Sequence, residues 1–209
     1  LNECMEKYGG FNHNDQTLRV ITFLEKRHPN FDGLNLSWES LEGIVKHNGI
    51  VFEKIPYHTL NYNNSHNLLL NLNPHLESQI AAISDDIAYN NHDVEDALRA
   101  KLISLSSLKE INYFDEIIRE INNRYKKLDE TLITYQMLRV SISRMVNDII
   151  RNSKKNIQIQ NIKNIQDVFE NNSFLISMSK KMKKDCELIR DYLYKNVYNH
   201  PKLAKKRKD

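Results

Sequence analysis

The stretch Ser84-Asp85-Asp86-Ile87-Ala88-Tyr89-Asn90-Asn91-His92-Asp93 sets three carboxylates, a tyrosine and a histidine inside a run of helical period. At about 100° per residue, Leu76, Ile80, Ile83 and Ile87 fall on one apolar stripe. Ser78, Ala82, Asp85, Tyr89 and His92 form a second stripe at the same spacings, with Asp93 beside it. The first stripe reads as core. The second begins with small residues and ends in carboxylates. Small side chains admit close approach, and a carboxylate beside them serves a metal ion or a ligand hydroxyl. Spacing alone leaves a second reading open: acidic helical residues usually face solvent, and Asp-Asp followed by Asn-Asn also describes a helix end with nothing bound.

Outward from this helix, the chain predicts an all-α protein. Only 5 Gly and 4 Pro interrupt its Leu/Ile/Lys/Glu-rich stretches, and no alternation is long enough for a sheet. A first helix is expected over residues 1–8, stopping at Gly9-Gly10, and a second over 14–27, carrying Leu18, Ile21 and Leu24 and reversing at Pro29. The third has Ser37 as N-cap, Leu36 and Leu41 at hydrophobic-staple positions and Gly49 after its last turn. Residues 50–73, rich in Asn and containing Pro56, predict an irregular excursion. Pro74 suits the first turn of the motif helix, expected over 74–92, with a further short helix beginning at Val94. Ile111, Phe114, Ile118, Ile121 and Tyr125 mark one long helix, and Tyr135, Leu138, Ile142, Met145 and Ile149 another. Residues 152–165 read as a linker or weak hairpin, and Met178, Met182, Ile189, Leu193 and Val197 mark the last helix. There is no internal repeat.

A chain of 209 residues fits one domain, or one plus an extension. Its 40% hydrophobic content and mean hydropathy of −0.61 predict a soluble protein. No apolar run approaches the roughly 20 residues that cross a bilayer, and no segment has the order of a secretory signal. A cytoplasmic protein without a membrane partner is expected, with Cys4 and Cys186 as reduced thiols lacking metal-type spacing. A net charge of +3 is too even to argue for nucleic acid. The positive excess gathers at Lys202, Lys205, Lys206, Arg207 and Lys208, which read as a solvated tail.

The decapeptide resembles the "ADDIAYNNHD" segment of the deoxyguanosinetriphosphate triphosphohydrolase-like family, type 2 branch, within the HD-domain phosphohydrolases. Other blocks follow in family order. Gly9–Arg19 resembles "GGFxHNxQxLR", Phe31–Glu39 resembles "FDGLNLTWE", and Leu41–Gly49 resembles "LEGIxKHNG". Arg144-Met145-Val146 and Tyr198-Asn199-His200-Pro201 resemble later helical signatures. The resemblance implies an HD-domain-like helical bundle and a chain that is its C-terminal part: residues 1–110 from the phosphohydrolase domain, 111–201 a helical region, 202–209 the basic tail.

The implied activity is hydrolysis of a dNTP to deoxynucleoside and tripolyphosphate. Asp85 would ligate a divalent cation, Mg²⁺ or Mn²⁺, whose remaining ligands are His nitrogens outside this chain. Asp86 points about 100° away and reads as structural. Tyr89 and Asp93 would meet the deoxyribose. A carboxylate at Asp93 can accept from the 3′-hydroxyl, and the Tyr89 ring can leave no room for a 2′-hydroxyl. His13, before a helix, would face the triphosphate, with Arg19 reaching the same phosphates. His47, His58, His66 and His75 carry no expected role. The family's His…His-Asp pair and its "GHxGE" segment are expected upstream of Leu1, so no catalytic residue is expected within this chain. The chain thus reads as an incomplete fragment with little activity alone, meeting a missing N-terminal half or forming a homo-oligomer through exposed apolar surface. Two rivals stand beside this reading: a non-catalytic remnant that associates with a partner, and a module that binds dNTP without turnover.

Overall fold

In the computed structural model, which describes residues 1–200, every regular element is helical and no strand occurs among the described residues. The all-α expectation therefore holds. The basic cluster Lys202–Lys208 lies outside the described residues.

Helix α1 (Asn2–Met5) runs into a tight turn, Glu6–Tyr8, and α2 (His13–Arg19) continues into a wider π-helical turn, Val20–Leu24. Then come α3 (Trp38–Val45), α4 (Tyr57–His66) and α5 (Leu76–Arg99). After these lie α6 (Leu105–Leu108), α7 (Asn112–Arg124), α8 (Glu130–Ile159), α9 (Ile165–Phe169) and α10 (Lys180–Leu193), the last ending in a π-helical turn, Tyr194–Tyr198.

Local chemistry accounts for several boundaries. The Ser37 side chain accepts the backbone N–H of Ser40 at 3.4 Å and starts α3. Gly49 follows that helix at φ 107°, where a side chain would be strained.

Other elements depart from the expected pattern. Helix α4 lies inside the stretch read as irregular. Its first turn is capped from a distance: the Asp15 carboxylate accepts from both the N–H of Thr59 at 2.7 Å and its hydroxyl at 2.8 Å. A cap supplied 44 residues away leaves no trace in the local sequence. Helix α5 absorbs the short helix expected from Val94, because no breaker interrupts it and Val94 and Ala97 keep its buried face continuous. Helix α8 runs through residues expected to be a linker. There Asn152 and Asn156 donate to Ser177 at 3.0 Å each, and Ser153 accepts its N–H at 3.2 Å. Polar side chains that looked like linker composition hold the segment before α10.

The chain forms two compact units: Leu1–Ala82 with Ile157–Leu175, and Ile83–Asn156 with the chain from Ile176 on. The divisions fall inside α5 and at the end of α8. In the first unit Leu18, Leu41, Val45, Leu68 and Leu70 form a buried cluster, with Ile21, Trp38, Val51, Ile55 and Tyr62 against it. The Trp38 indole donates to the carbonyls of His66 and Asn67, at 3.1 and 3.2 Å, and its ring meets Phe169 edge-on. In the second unit the buried residues are Phe114, Ile117, Ile118 and Ile121 of α7, Met137, Leu138, Met145 and Ile149 of α8, and Ile189 and Leu193 of α10.

The apolar stripe of α5 is only partly core. Ile87 is buried, but Ile80 is 49% exposed. Polar Gln79, Asn90 and Asn91 are buried instead. Two of these amides have internal acceptors: Gln79 donates to the carbonyl of Pro74 at 2.8 Å, and Asn91 to that of Ile87 at 2.7 Å. No helix among the described residues is long and apolar enough to cross a membrane.

Candidate functional site

In the first unit, His13 is the first residue of α2 and is exposed. Its Nε2 lies 3.4 Å from the Asn48 amide nitrogen. Asn12 caps the helix by accepting the N–H of Asp15 at 3.0 Å, so one N–H of this short helix already has a partner. His13 lines a cavity of about 380 Å³ with Gly43, His47, His75 and Ser78. Gly43 permits that cavity's close walls: a Cβ there would lie 3.0 Å from His75 Cε1 and 3.2 Å from Ser78 Cβ. Arg19 lines a different cavity, with Gly10, Phe11, Asp15 and Tyr57.

Behind the His13 cavity sits a charged cluster that sequence reasoning missed. Glu42 and Lys46, one turn apart on α3, are both 0% exposed and pair at 2.5 Å. The second Glu42 oxygen accepts from His75 Nδ1, and His75 forms part of the cavity wall. Lys46 Nζ also donates to the carbonyls of Leu69, Leu72 and Asn73, at 2.9, 3.1 and 3.3 Å. Burial pulls its pKa below the ordinary lysine value, while Glu42 opposes that shift. A Glu and a Lys four residues apart usually signal a solvent-facing helix pair. Here the loop before α5 covers them.

In the second unit, Asp85 and Tyr89 are exposed, the latter by 67%. The helical stripe read from spacing thus presents a carboxylate and a phenol to the outside of α5. Asp93 is half-buried and accepts a hydrogen bond from the Tyr198 hydroxyl. Burial, chiefly, and then the Asp93 carboxylate push the Tyr198 phenol up to about 12. Tyr198 is a further residue that the sequence did not mark as part of the site. Its only signal there was its place in the Tyr198-Asn199-His200-Pro201 block. Cys4 is exposed and Cys186 buried, both as free thiols, and burial pushes the Cys186 thiol up to about 11.

The described residues do not suit a divalent cation by themselves. Such an ion takes about six ligands, and no group of three His, Cys, Asp or Glu side chains able to hold one occurs among the described residues. Asp85 is a candidate ligand without a set. The candidate residues fall in two groups, each described within its own unit: His13 and Arg19 in the first, Asp85, Tyr89 and Asp93 in the second.

Comparison with known proteins agrees with the sequence blocks. Over 213 residues, 99% of this chain, it is 41% identical to the deoxyguanosinetriphosphate triphosphohydrolase-like protein of Bartonella henselae. It is 39% identical over 99% of its length to the protein of that name from Bartonella quintana, and 37% over 98% to the one from Rickettsia rickettsii. The chain spans 53% of the length of each. No family model matches the chain. By sequence, this all-helical chain is a relative of the deoxyguanosinetriphosphate triphosphohydrolase-like proteins along nearly its whole length.

Proposed function

We propose that the chain forms part of a dNTP triphosphohydrolase. Water adds to the α-phosphorus, the bond to the sugar 5′-oxygen breaks, and deoxynucleoside and tripolyphosphate leave. The observation that carries this reading is the 41% identity over 99% of the chain to a protein so named, a span that includes every candidate residue. In this reading His13 and Arg19 meet the triphosphate, and Tyr89 and Asp93 meet the deoxyribose. Asp85 serves as a ligand to Mg²⁺ or Mn²⁺. The other ligands and the proton-transferring groups come from polypeptide outside the described residues, in the manner of an HD-domain enzyme. A cytoplasmic location goes with a nucleotide substrate and two unpaired thiols.

The test is tripolyphosphate release from each dNTP with Mg²⁺ or Mn²⁺. The 209-residue chain alone is expected to turn over negligibly. A polypeptide carrying this chain together with a His…His-Asp segment is expected to be active, and Asp85→Ala to abolish that activity. Turnover that survives Asp85→Ala unchanged would remove the reading.

A second reading, a partner-associating helical module without turnover, has its own support. Tyr8, Phe23, Phe52 and Tyr57 of the first unit are each more than half exposed. Apolar surface of that kind marks association. Sedimentation that shows a strict monomer across the micromolar range would count against it.

A further inference from the structure

Taken whole, the chain carries a net charge of only +3, but within the second unit the charge is unevenly placed. The end of α8 meets the start of α10 through polar contacts. The Asp148 carboxylate accepts the N–H of Ser179 at 2.8 Å, and Asn152 donates to the carbonyls of Ser177 and Met178 at 3.0 and 3.3 Å. These bonds bring Arg151 and Lys155 of α8 to Lys180, Lys181, Lys183 and Lys184 of α10, and Arg151 and Lys181 line one cavity. All six side chains are exposed, and none of them joins an ion pair among the described residues. Asp148 and Asp185, on the wall of the same cavity, are half-buried and pair with none of the six.

This arrangement works against the fold. A helix N-terminus carries partial positive charge and favours acidic residues, whereas α10 opens on lysines and has no acidic residue in its first turn. Lys180 and Lys183, Lys180 and Lys184, Lys181 and Lys184, and Arg151 and Lys155 stand three or four residues apart on a helix, where like charges repel. No ion pair within the unit offsets that repulsion. A multiply charged anion outside it does.

We infer that this cluster binds the phosphate backbone of double-stranded DNA, without reading its bases. A duplex presents one negative charge per about 1.7 Å of its axis, so cations converging from two helices each find a phosphate. Five of the six are lysines, compact point charges that suit phosphate without demanding a fixed geometry. No aromatic side chain stands among them to stack on the bases of a single strand. A bilayer surface fits less well: the apolar side of α10, with Met182, Cys186, Ile189 and Leu193, is buried within the unit and cannot insert. The inference is independent of the hydrolytic reading, since none of the six belongs to the candidate site.

The experiment follows the fluorescence anisotropy of a labelled duplex of about 20 base pairs as the 209-residue chain is added at several salt concentrations. Lys205, Lys206, Arg207 and Lys208 are replaced by Gln throughout, so that the basic tail adds no contacts. The dissociation constant is expected at roughly 1–100 µM in physiological salt, with a slope of about −5 in log K against log salt for six phosphate contacts. Adding Lys180→Gln, Lys183→Gln and Lys184→Gln should bring the slope to about −3 and weaken binding at least about tenfold at low salt. The thermal midpoint of that variant at low salt is expected to rise, because repulsion within α10 is relieved. A midpoint that falls would mean that the lysines serve the fold, and overturns the inference. So does an unchanged slope, or binding that appears only with the tail charges restored. Displacement of the duplex by tripolyphosphate or by phosphatidylserine vesicles at equal phosphate concentration would assign the cluster to those anions instead. A preference of about tenfold or more between two unrelated duplex sequences would overturn the absence of base reading.

Discussion

Glu42 and Lys46 are charged side chains with no access to solvent. Removing one partner of such a pair strands the other, at a cost of roughly 3–5 kcal/mol. Lys46→Met is therefore expected to lower the unfolding free energy by about 3–5 kcal/mol in a urea titration. Adding Glu42→Leu should restore only part of the loss, because the carbonyls of Leu69, Leu72 and Asn73 remain without the ammonium donor. A Lys46→Met variant as stable as the parent would show that the ammonium does not clamp this loop. The sequence made the neighbourhood legible only in part. Leu41 and Val45 announced an inward face by their spacing, and both are buried. That Glu42 and Lys46 share this burial depends on Leu69–Asn73 and on Phe169, whose ring lies 5.7 Å from Nζ. No local pattern carries that information. Likewise the common helical face of Asp85 and Tyr89 followed from helical period, and their roles only from the family resemblance, whereas the tie between Asp93 and Tyr198 needed coordinates.

At the scale of elements, α7 and α8 are joined by a polar contact inside an apolar setting. The Tyr113 hydroxyl donates to the Ser141 carbonyl at 3.0 Å. Burial pushes this phenol up to about 12 from 10.0. An acid whose pKa is raised by folding stabilises the native state fully below its unfolded pKa. That contribution is lost as pH rises toward the folded value, because the unfolded chain releases its proton first. Between pH 10 and 12 Tyr113 should thus forfeit on the order of 2–3 kcal/mol. Tyr113→Phe should flatten this limb of the stability curve, read as the urea midpoint against pH. An unchanged slope would mean that another group sets it. Helices α7, α8 and α10 were legible because their apolar residues repeat with one period over many turns. Helix α4 was not, since its N-terminus depends on Asp15 from another element. The end of α8 was not, because its Asn and Ser residues are spent on Ser177.

At the scale of the whole molecule, neither unit is a continuous piece of chain. The polypeptide leaves the first unit after Ala82, returns at Ile157 and departs again after Leu175. A segment ending at Ala82 should therefore not fold alone. Its circular dichroism is expected to show little helix, and a cooperative thermal transition there would refute this. The returning segment supplies contacts the first unit lacks without it: the Phe169 carbonyl accepts the Asn73 N–H at 3.0 Å, and the Asn171 carbonyl accepts from the Asn73 side chain. These partners emerge 98 residues apart. At a synthesis rate of about 5–20 residues per second, Asn73 waits roughly 5–20 s for its acceptor. During that interval the nascent first unit has an open flank, and a premature stop anywhere before residue 157 leaves it open for good. For this chain, nonsense and frameshift lesions between residues 83 and 156 are consequently as damaging to the first unit as to the second.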